Sequence, residues 1–179
     1  MSEFTSPIPI NNAHVLSSFD CGKPSLNEFL QRHAFDKQTA FLSRTYVVAR
    51  ERVVVAYYTL VHVSVSQETT PKKLGRGMPS VIPAMLLARL AVDKTAQGHG
   101  LGRSLLTDAL RRTWAVMEKG AAPVRLFIVD AIDEEARAFY ERFEVDMLVS
   151  SQNPRRLFLS YKDLKPLFAD DEEQIVPAS

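Results

Sequence analysis

The 179-residue sequence predicts an α/β (α+β) fold in which a mixed sheet carries helices on its faces, and three observations point there. Runs dense in β-branched and aromatic residues recur at Thr45 to Ala49, Val53 to Val65, Met85 to Val92 and Val124 to Val129. Two stretches switch to helical spacing: Leu106, Ala109, Leu110, Thr113, Trp114 and Met117 mark one buried face, and Ala136, Phe139, Tyr140 and Phe143 another. Strand and helix then alternate through the second half, with no internal repeat and no linker long enough to divide the chain. A single domain over residues 1–169 is expected, followed by an acidic tail over 170–179.

Each element has a local reason. Ser25-Leu26-Asn27-Glu28 has the spacing of a capping box, which predicts a helix start, and Leu26, Phe29, Leu30, His33 and Ala34 continue the pattern to about Leu42. Thr45 to Ala49 and Val53 to Val65 form a hairpin around Arg50 to Arg52, with alternation from Val61 to Ser66 marking a half-buried strand. Residues 67–80 hold prolines, glycines and basic residues without periodicity and read as a mobile basic loop. The long helix begins after Gly100 and stops near Gly120. Asp133 caps the next helix, with Glu134 and Glu135 in its first turn beside the positive helix end. Strands near Val145 to Val149 and Leu157 to Tyr161 close the sheet.

Composition excludes several classes of protein. With 46% hydrophobic and 24% charged residues the chain is a folded domain rather than a disordered one. Its longest apolar runs fall well short of the ~18 residues that span a bilayer. The start, Met1-Ser2-Glu3-Phe4, shows no secretory pattern, so a cytoplasmic protein without membrane attachment is expected. Cys21 is the single cysteine, which rules out an intrachain disulfide and a cysteine-built zinc site, and no metal is expected. Lys and Arg number 22 against 21 Asp and Glu, but Asp170, Asp171, Glu172 and Glu173 are concentrated at the end. Residues 1–169 therefore carry 22 basic against 17 acidic groups, a net +5.

The most informative segment is Leu90-Ala91-Val92-Asp93-Lys94-Thr95-Ala96-Gln97-Gly98-His99-Gly100-Leu101-Gly102-Arg103-Ser104, a strand, a glycine-rich turn and a helix start. Glycines let a backbone curl so that successive N–H groups and the helix terminus converge on an anion. A nucleotide P-loop needs Lys-Ser or Lys-Thr after its last glycine, where this chain has Arg103-Ser104. A dinucleotide fingerprint from Gly98 would need glycine where Arg103 stands.

Gln97, Gly100 and Gly102 instead give Gln-x-x-Gly-x-Gly, preceded by Leu87-x-x-Leu90-Ala91-Val92-Asp93 and followed by Ala136-Arg137-Ala138-Phe139-Tyr140. This resembles the acetyl-CoA pyrophosphate loop and the Ala-x-x-Phe-Tyr helix of the GNAT superfamily of N-acetyltransferases. Phe19-Asp20-Cys21-Gly22, Leu26-Asn27-Glu28-Phe29-Leu30, Ala34 and Arg44-Thr45-Tyr46-Val47-Val48 are similar to the acetyltransferase toxins of bacterial toxin-antitoxin pairs. One departure is Glu144-Val145, where the family often has Gly-Phe. The resemblance covers roughly residues 15–162 and implies a mostly antiparallel sheet of six to seven strands. It also implies acetyl-CoA as cosubstrate, aminoacyl-tRNA as acceptor, a ribbon-helix-helix antitoxin partner and a homodimer.

Under that resemblance the backbone of Ala91 and Val92 holds pantetheine and the thioester oxygen. The turn Gln97, Gly98, His99, Gly100, Leu101, Gly102 and Arg103 grips the pyrophosphate, with the Ser104 N–H or hydroxyl a weaker contributor. Phe139 lies beside the cofactor and Tyr140 is the general acid to the departing thiol. A free phenol titrates near ~10 and a thiol near ~8.5, so complete proton transfer is uphill by roughly 2 kcal/mol and hydrogen bonding during cleavage is the better description. No Glu or His stands out as a base: His99 and His62 read as surface, His33 as packing, and His14 gives no signal. An α-amino group near ~8 needs less help from a base than a lysine near ~10.4. For RNA phosphates the candidates are Lys72, Lys73, Arg76, Arg89, Arg137, Arg142, Arg155 and Arg156. Two alternatives stay open: an acetyltransferase for a small amine or a protein N-terminus, and a non-catalytic acetyl-CoA-binding module.

Overall fold

The computed structural model describes residues 4–143 and 146–172. Seven strands form one sheet in the order β1-β2-β3-β4-β5-β7-β6: β1 Ile8–Pro9, β2 Arg44–Arg50, β3 Val53–Ser66, β4 Val81–Val92, β5 Leu126–Asp130, β6 Leu148–Val149 and β7 Arg156–Ser160. The pairs β1/β2, β2/β3, β5/β7 and β6/β7 are antiparallel. The helices are α1 Pro24–Glu28, α2 Ala34–Thr39, α3 Lys72–Gly75, α4 Leu101–Lys119, α5 Glu134–Glu141 and α6 Tyr161–Phe168. The chain divides into two compact units, residues 1–61 with 87–109 and residues 62–86 with 110–179.

In the first unit the hairpin of β2 and β3 turns at Glu51, whose φ is +58°, and carries a bulge between Val48 and Ala49. The first half of β3 is buried on both faces. Its Tyr57 packs edge-on against Phe19, stacks on Phe29 and donates its hydroxyl to the Leu26 carbonyl at 2.7 Å, which fixes the N-terminal helices on the sheet. Tyr58 donates to the Asp108 carboxylate and so ties α4 to the same strand. The first helix starts where expected, but not by the expected device. Lys23 is its N-cap without a side-chain bond and Pro24 occupies the first turn, so proline's fixed φ, not the Ser25/Glu28 box, begins the helix. A π turn over Phe29–His33 then joins α1 to α2, with Ala34 N–H donating back to the Phe29 carbonyl.

In the second unit, Val65, Ile82, Ala84, Leu126, Ile128 and Phe158 form the core. The alternation predicted for residues 61–66 is present, with His62, Ser64 and Ser66 outward. Residues 67–80 are not the mobile loop expected. A 3-10 turn, Gln67–Thr69, and α3 are held by Gln67 N–H donating to the Ser80 carbonyl and Gln67 Nε2 to the Gly75 carbonyl at 2.7 Å. β4 starts four residues before the expected Met85.

Two further elements were not expected. β1 pairs on the edge of β2. α6 follows β7 directly behind a capping box formed by Ser160 and Asp163, and it buries Leu164 and Phe168. Glu144 and Val145, and the tail beyond Glu172, lie outside the described residues; Ala169–Glu172 is a 3-10 turn.

Candidate active site

The turn between β4 and α4 is organised by Asp93. Its buried carboxylate accepts the Asp20 N–H at 2.8 Å, the Thr95 N–H at 2.8 Å and the Thr95 hydroxyl at 2.6 Å. Burial pushes this carboxyl up, but those bonds outweigh it and hold it below its ordinary range. The Asp93 carbonyl accepts from Ala96 and Gln97 N–H, and Gln97 Nε2 reaches back to the Val92 carbonyl at 2.9 Å. Asp20 is held at about 2 by the Lys94 ammonium 2.8 Å away, by the Gly22 N–H and by the Asn27 amide. The turn is therefore laced to the segment before α1.

Beyond Gln97 the backbone opens. Gly98 and Gly100 have φ of +81° and +76°, and an added Cβ at either would meet nothing within 4 Å. Among the described residues, the N–H groups of Gly98, His99, Gly100, Leu101 and Gly102 donate to no protein acceptor, and they stand at the head of the 19-residue α4. Consecutive unpaired amides on a positive helix end, with open space before them, suit a diphosphate. The Ser104 N–H is not one of them, because it donates to the Gly100 carbonyl at 3.1 Å, which leaves its exposed hydroxyl as the available group. His99 is exposed, with Nδ1 at 3.2 and 3.0 Å from the Ala96 and Gln97 carbonyls, which makes Nδ1 the protonated nitrogen. Arg103 is exposed as well.

Along β4, Ala91 packs into the cluster with Phe29 and Tyr57, and Val92 is half-buried. Two residues earlier the Arg89 guanidinium lies 3.7 Å over the Phe29 ring. It lines a cavity of about 370 Å³ with Ser25, Glu28, Phe29, His33 and Lys37. His33 was expected as packing; the π turn exposes it instead and aims it at this cavity.

In the second unit Asp133 caps α5 by accepting the Ala136 N–H at 2.8 Å, as the sequence predicts. Tyr140 is 5% exposed and meets the half-buried Phe139 edge-on at 5.2 Å. Its hydroxyl makes no hydrogen bond among the described residues, and burial alone pushes its pKa well above the ordinary phenol value. The group remains protonated at any physiological pH. Several basic candidates are engaged elsewhere: Arg137 with Glu141 at 2.9 Å, Arg155 with Glu134 at 3.2 Å, and Arg156 in a two-bond fork on Asp130 at 2.6 Å. Among the described residues no group of His, Cys, Asp and Glu could hold a metal ion, and no helix is long and apolar enough to cross a membrane.

The acetyltransferase (GNAT) domain family matches residues 42–144, more than half of the sequence. This chain belongs to the GNAT acetyltransferases. Among relatives of this GNAT chain is the tRNA-acetylating toxin of Mycobacterium tuberculosis, 38% identical over 170 residues, covering 95% of this chain and 100% of the relative. Among solved structures, AtaT complexed with acetyl-methionyl-tRNAfMet matches with a TM-score of 0.82 at 30% identity, over 93% of this chain and 99% of that one. A tyrosine-to-phenylalanine mutant of the AtaT toxin, bound to the C-terminus of the antitoxin AtaR and acetyl-CoA, matches with a TM-score of 0.77 at 30% identity, over 92% and 98% of the two chains. The fold class read from the sequence is the one found.

Proposed function

We propose that this GNAT enzyme transfers the acetyl group of acetyl-CoA to the α-amino group of an amino acid esterified to tRNA, which stops translation. In this reading it acts in the cytoplasm as a homodimer and is restrained by a ribbon-helix-helix antitoxin. The observation that carries the reading is identity spread over 95% of the chain with a tRNA-acetylating toxin, rather than over the acetyl-CoA segment alone. Glycine-turn amides without protein partners support a bound diphosphate, and the available Tyr140 hydroxyl supports transfer rather than binding only.

Bound acetyl-CoA supplies a thioester carbonyl open to attack and a thiol as leaving group. The chain's residues do the rest. The amides of Gly98 to Gly102 hold the diphosphate, and the backbone of Ala91 and Val92 lines up the pantetheine arm and polarises the carbonyl. Phe139 packs beside that arm, and the Tyr140 hydroxyl donates a hydrogen bond to the sulfur as the carbon–sulfur bond breaks. Arg89 and Lys37 give their cavity the charge to hold the acceptor end of the tRNA. The α-amino group, partly neutral near pH 8, reaches the carbonyl without a dedicated base.

The test offers labelled acetyl-CoA with a panel of charged and uncharged tRNAs and locates the label. Label on the esterified amino acid is expected. Label on polyamines, protein N-termini or lysines, with none on charged tRNA, overturns the acceptor assignment.

A further inference from the structure

The second unit holds a cationic cavity that acetyl transfer does not use. Lys73 and Arg76 from the α3 segment, Arg125 just ahead of β5 and Lys162 in the first turn of α6 line one cavity of about 350 Å³. Three segments separated by up to about ninety positions thus bring four positive charges together, and no carboxylate lines the space. The neighbouring acids are committed elsewhere. Asp163 accepts the Ser160 N–H and hydroxyl at 2.6 and 2.7 Å, and Glu118 accepts the Tyr161 hydroxyl at 2.9 Å. Among the described residues none of the four cations makes an ion pair; the one polar contact of the Arg125 side chain is to the neutral Met78 sulfur at 3.7 Å.

Elsewhere in this unit three arginines, Arg137, Arg155 and Arg156, each face a carboxylate. Four like charges around one cavity repel one another, and their unpaired convergence is favourable only when an anion enters. Two arginines present planar forks that match phosphate oxygens, and two lysines add point charges. The cavity exceeds the size of a single carboxylate and has an apolar floor in Leu74 and Met78, which suits a sugar between phosphates.

We propose that this cavity grips the phosphodiester backbone of the tRNA substrate, supplying affinity rather than chemistry. The inference rests on the acceptor reading above and names a second contact surface for it. Its test is the double variant Arg76→Gln/Arg125→Gln, compared with the unmodified protein for tRNA binding between 50 and 200 mM salt. Losing two phosphate contacts makes the plot of log K against log salt shallower by about 1.5 and weakens binding about ten-fold at low salt. The KM for charged tRNA rises in step, while kcat and the KM for acetyl-CoA hold, which also reports intact folding. Lys73→Gln/Lys162→Gln gives the same signature by a different pair and decides the matter if the arginine pair does not fold.

An unchanged slope and affinity in variants of a protein that does bind tRNA overturns this inference alone. So does a loss confined to an acidic antitoxin peptide, which would give the cavity to a protein partner. Failure of the unmodified protein to bind or acetylate charged tRNA removes the acceptor reading and this inference together.

Discussion

Burial and chemistry meet at Tyr140. A phenol filling an apolar helix face would serve as well without its oxygen, yet this hydroxyl is kept at a site where desolvation raises its pKa and no described residue accepts its proton. The hydroxyl bonds to no described residue, so removing the oxygen breaks no contact that holds the fold. Replacing Tyr140 with Phe is therefore expected to leave the Tm within about 2 °C, and to leave acetyl-CoA affinity unchanged, because the diphosphate contacts proposed above lie on the glycine turn. kcat should fall by about 10²-fold, the lower range for loss of a positioned acid. Steady-state kinetics beside a calorimetric acetyl-CoA titration separate the two effects. Undiminished turnover would return Tyr140 to the core. The sequence made this residue legible through its place after Phe139, but not its missing partner, which depends on what surrounds it in three dimensions. His33 shows the opposite case: helical spacing put it inward, and a π turn, which shifts the register by a residue, put it outward.

The β4–turn–α4 element was readable because each part has a short-range cause: strand residues, glycines where φ is positive, and an apolar stripe along a 19-residue helix. What the sequence did not reveal is that Asp93 is the keystone, since its partners Asp20 and Thr95 are only apparent once the chain has folded back. Asp93→Ala strands two backbone donors and a hydroxyl, a loss of about 2–4 kcal/mol that urea unfolding would register as a lower midpoint at unchanged m. The KM for acetyl-CoA should rise with it, and a variant with normal stability and normal KM would remove Asp93 from this role. Gly100→Ala acts differently. Open space around its Cβ excludes a clash, so the cost is the positive φ alone, about 1–2 kcal/mol, paired with an acetyl-CoA KM raised about ten-fold as the amides turn away. The misreadings share a cause. Ser25 to Glu28 has capping-box spacing, but Pro24 already begins that helix, whereas Ser160 to Asp163 has the same spacing with aspartate and does form the box that starts α6. Residues 67–80 lack periodicity because side-chain bonds from Gln67, not an amphipathic face, order them.

At the scale of the whole molecule, groups whose titration differs between folded and unfolded chain give stability an acid and an alkaline edge. Asp20, held at about 2, and Asp93, also held low, are ionised in the native state where an unfolded aspartate near 3.8 begins to take up protons. Their pKa values are depressed, so their contribution is complete above about pH 5 and disappears as the pH falls through 4 towards 2. Tyr57 and Tyr140 lie on the other side, both raised above 10 by burial. Their raised values mean the native chain keeps protons that the unfolded chain releases, so stability is whole below about pH 9 and declines as the pH climbs past 10. Melting temperatures measured from pH 3 to pH 11 should thus fall at both ends. The assignment is checked edge by edge. Asp20→Asn makes the acid edge shallower. Tyr140→Phe removes one withheld proton and makes the alkaline decline shallower by up to about 1.4 kcal/mol per pH unit, the slope that one proton contributes. If the alkaline edge kept its full steepness in Tyr140→Phe, the phenol would be ionising as readily in the folded chain as in the unfolded one. A hydroxyl exposed enough to do that is not one held dry beside a leaving thiol, so the same titration curve tests the folded environment on which the proposed chemistry depends.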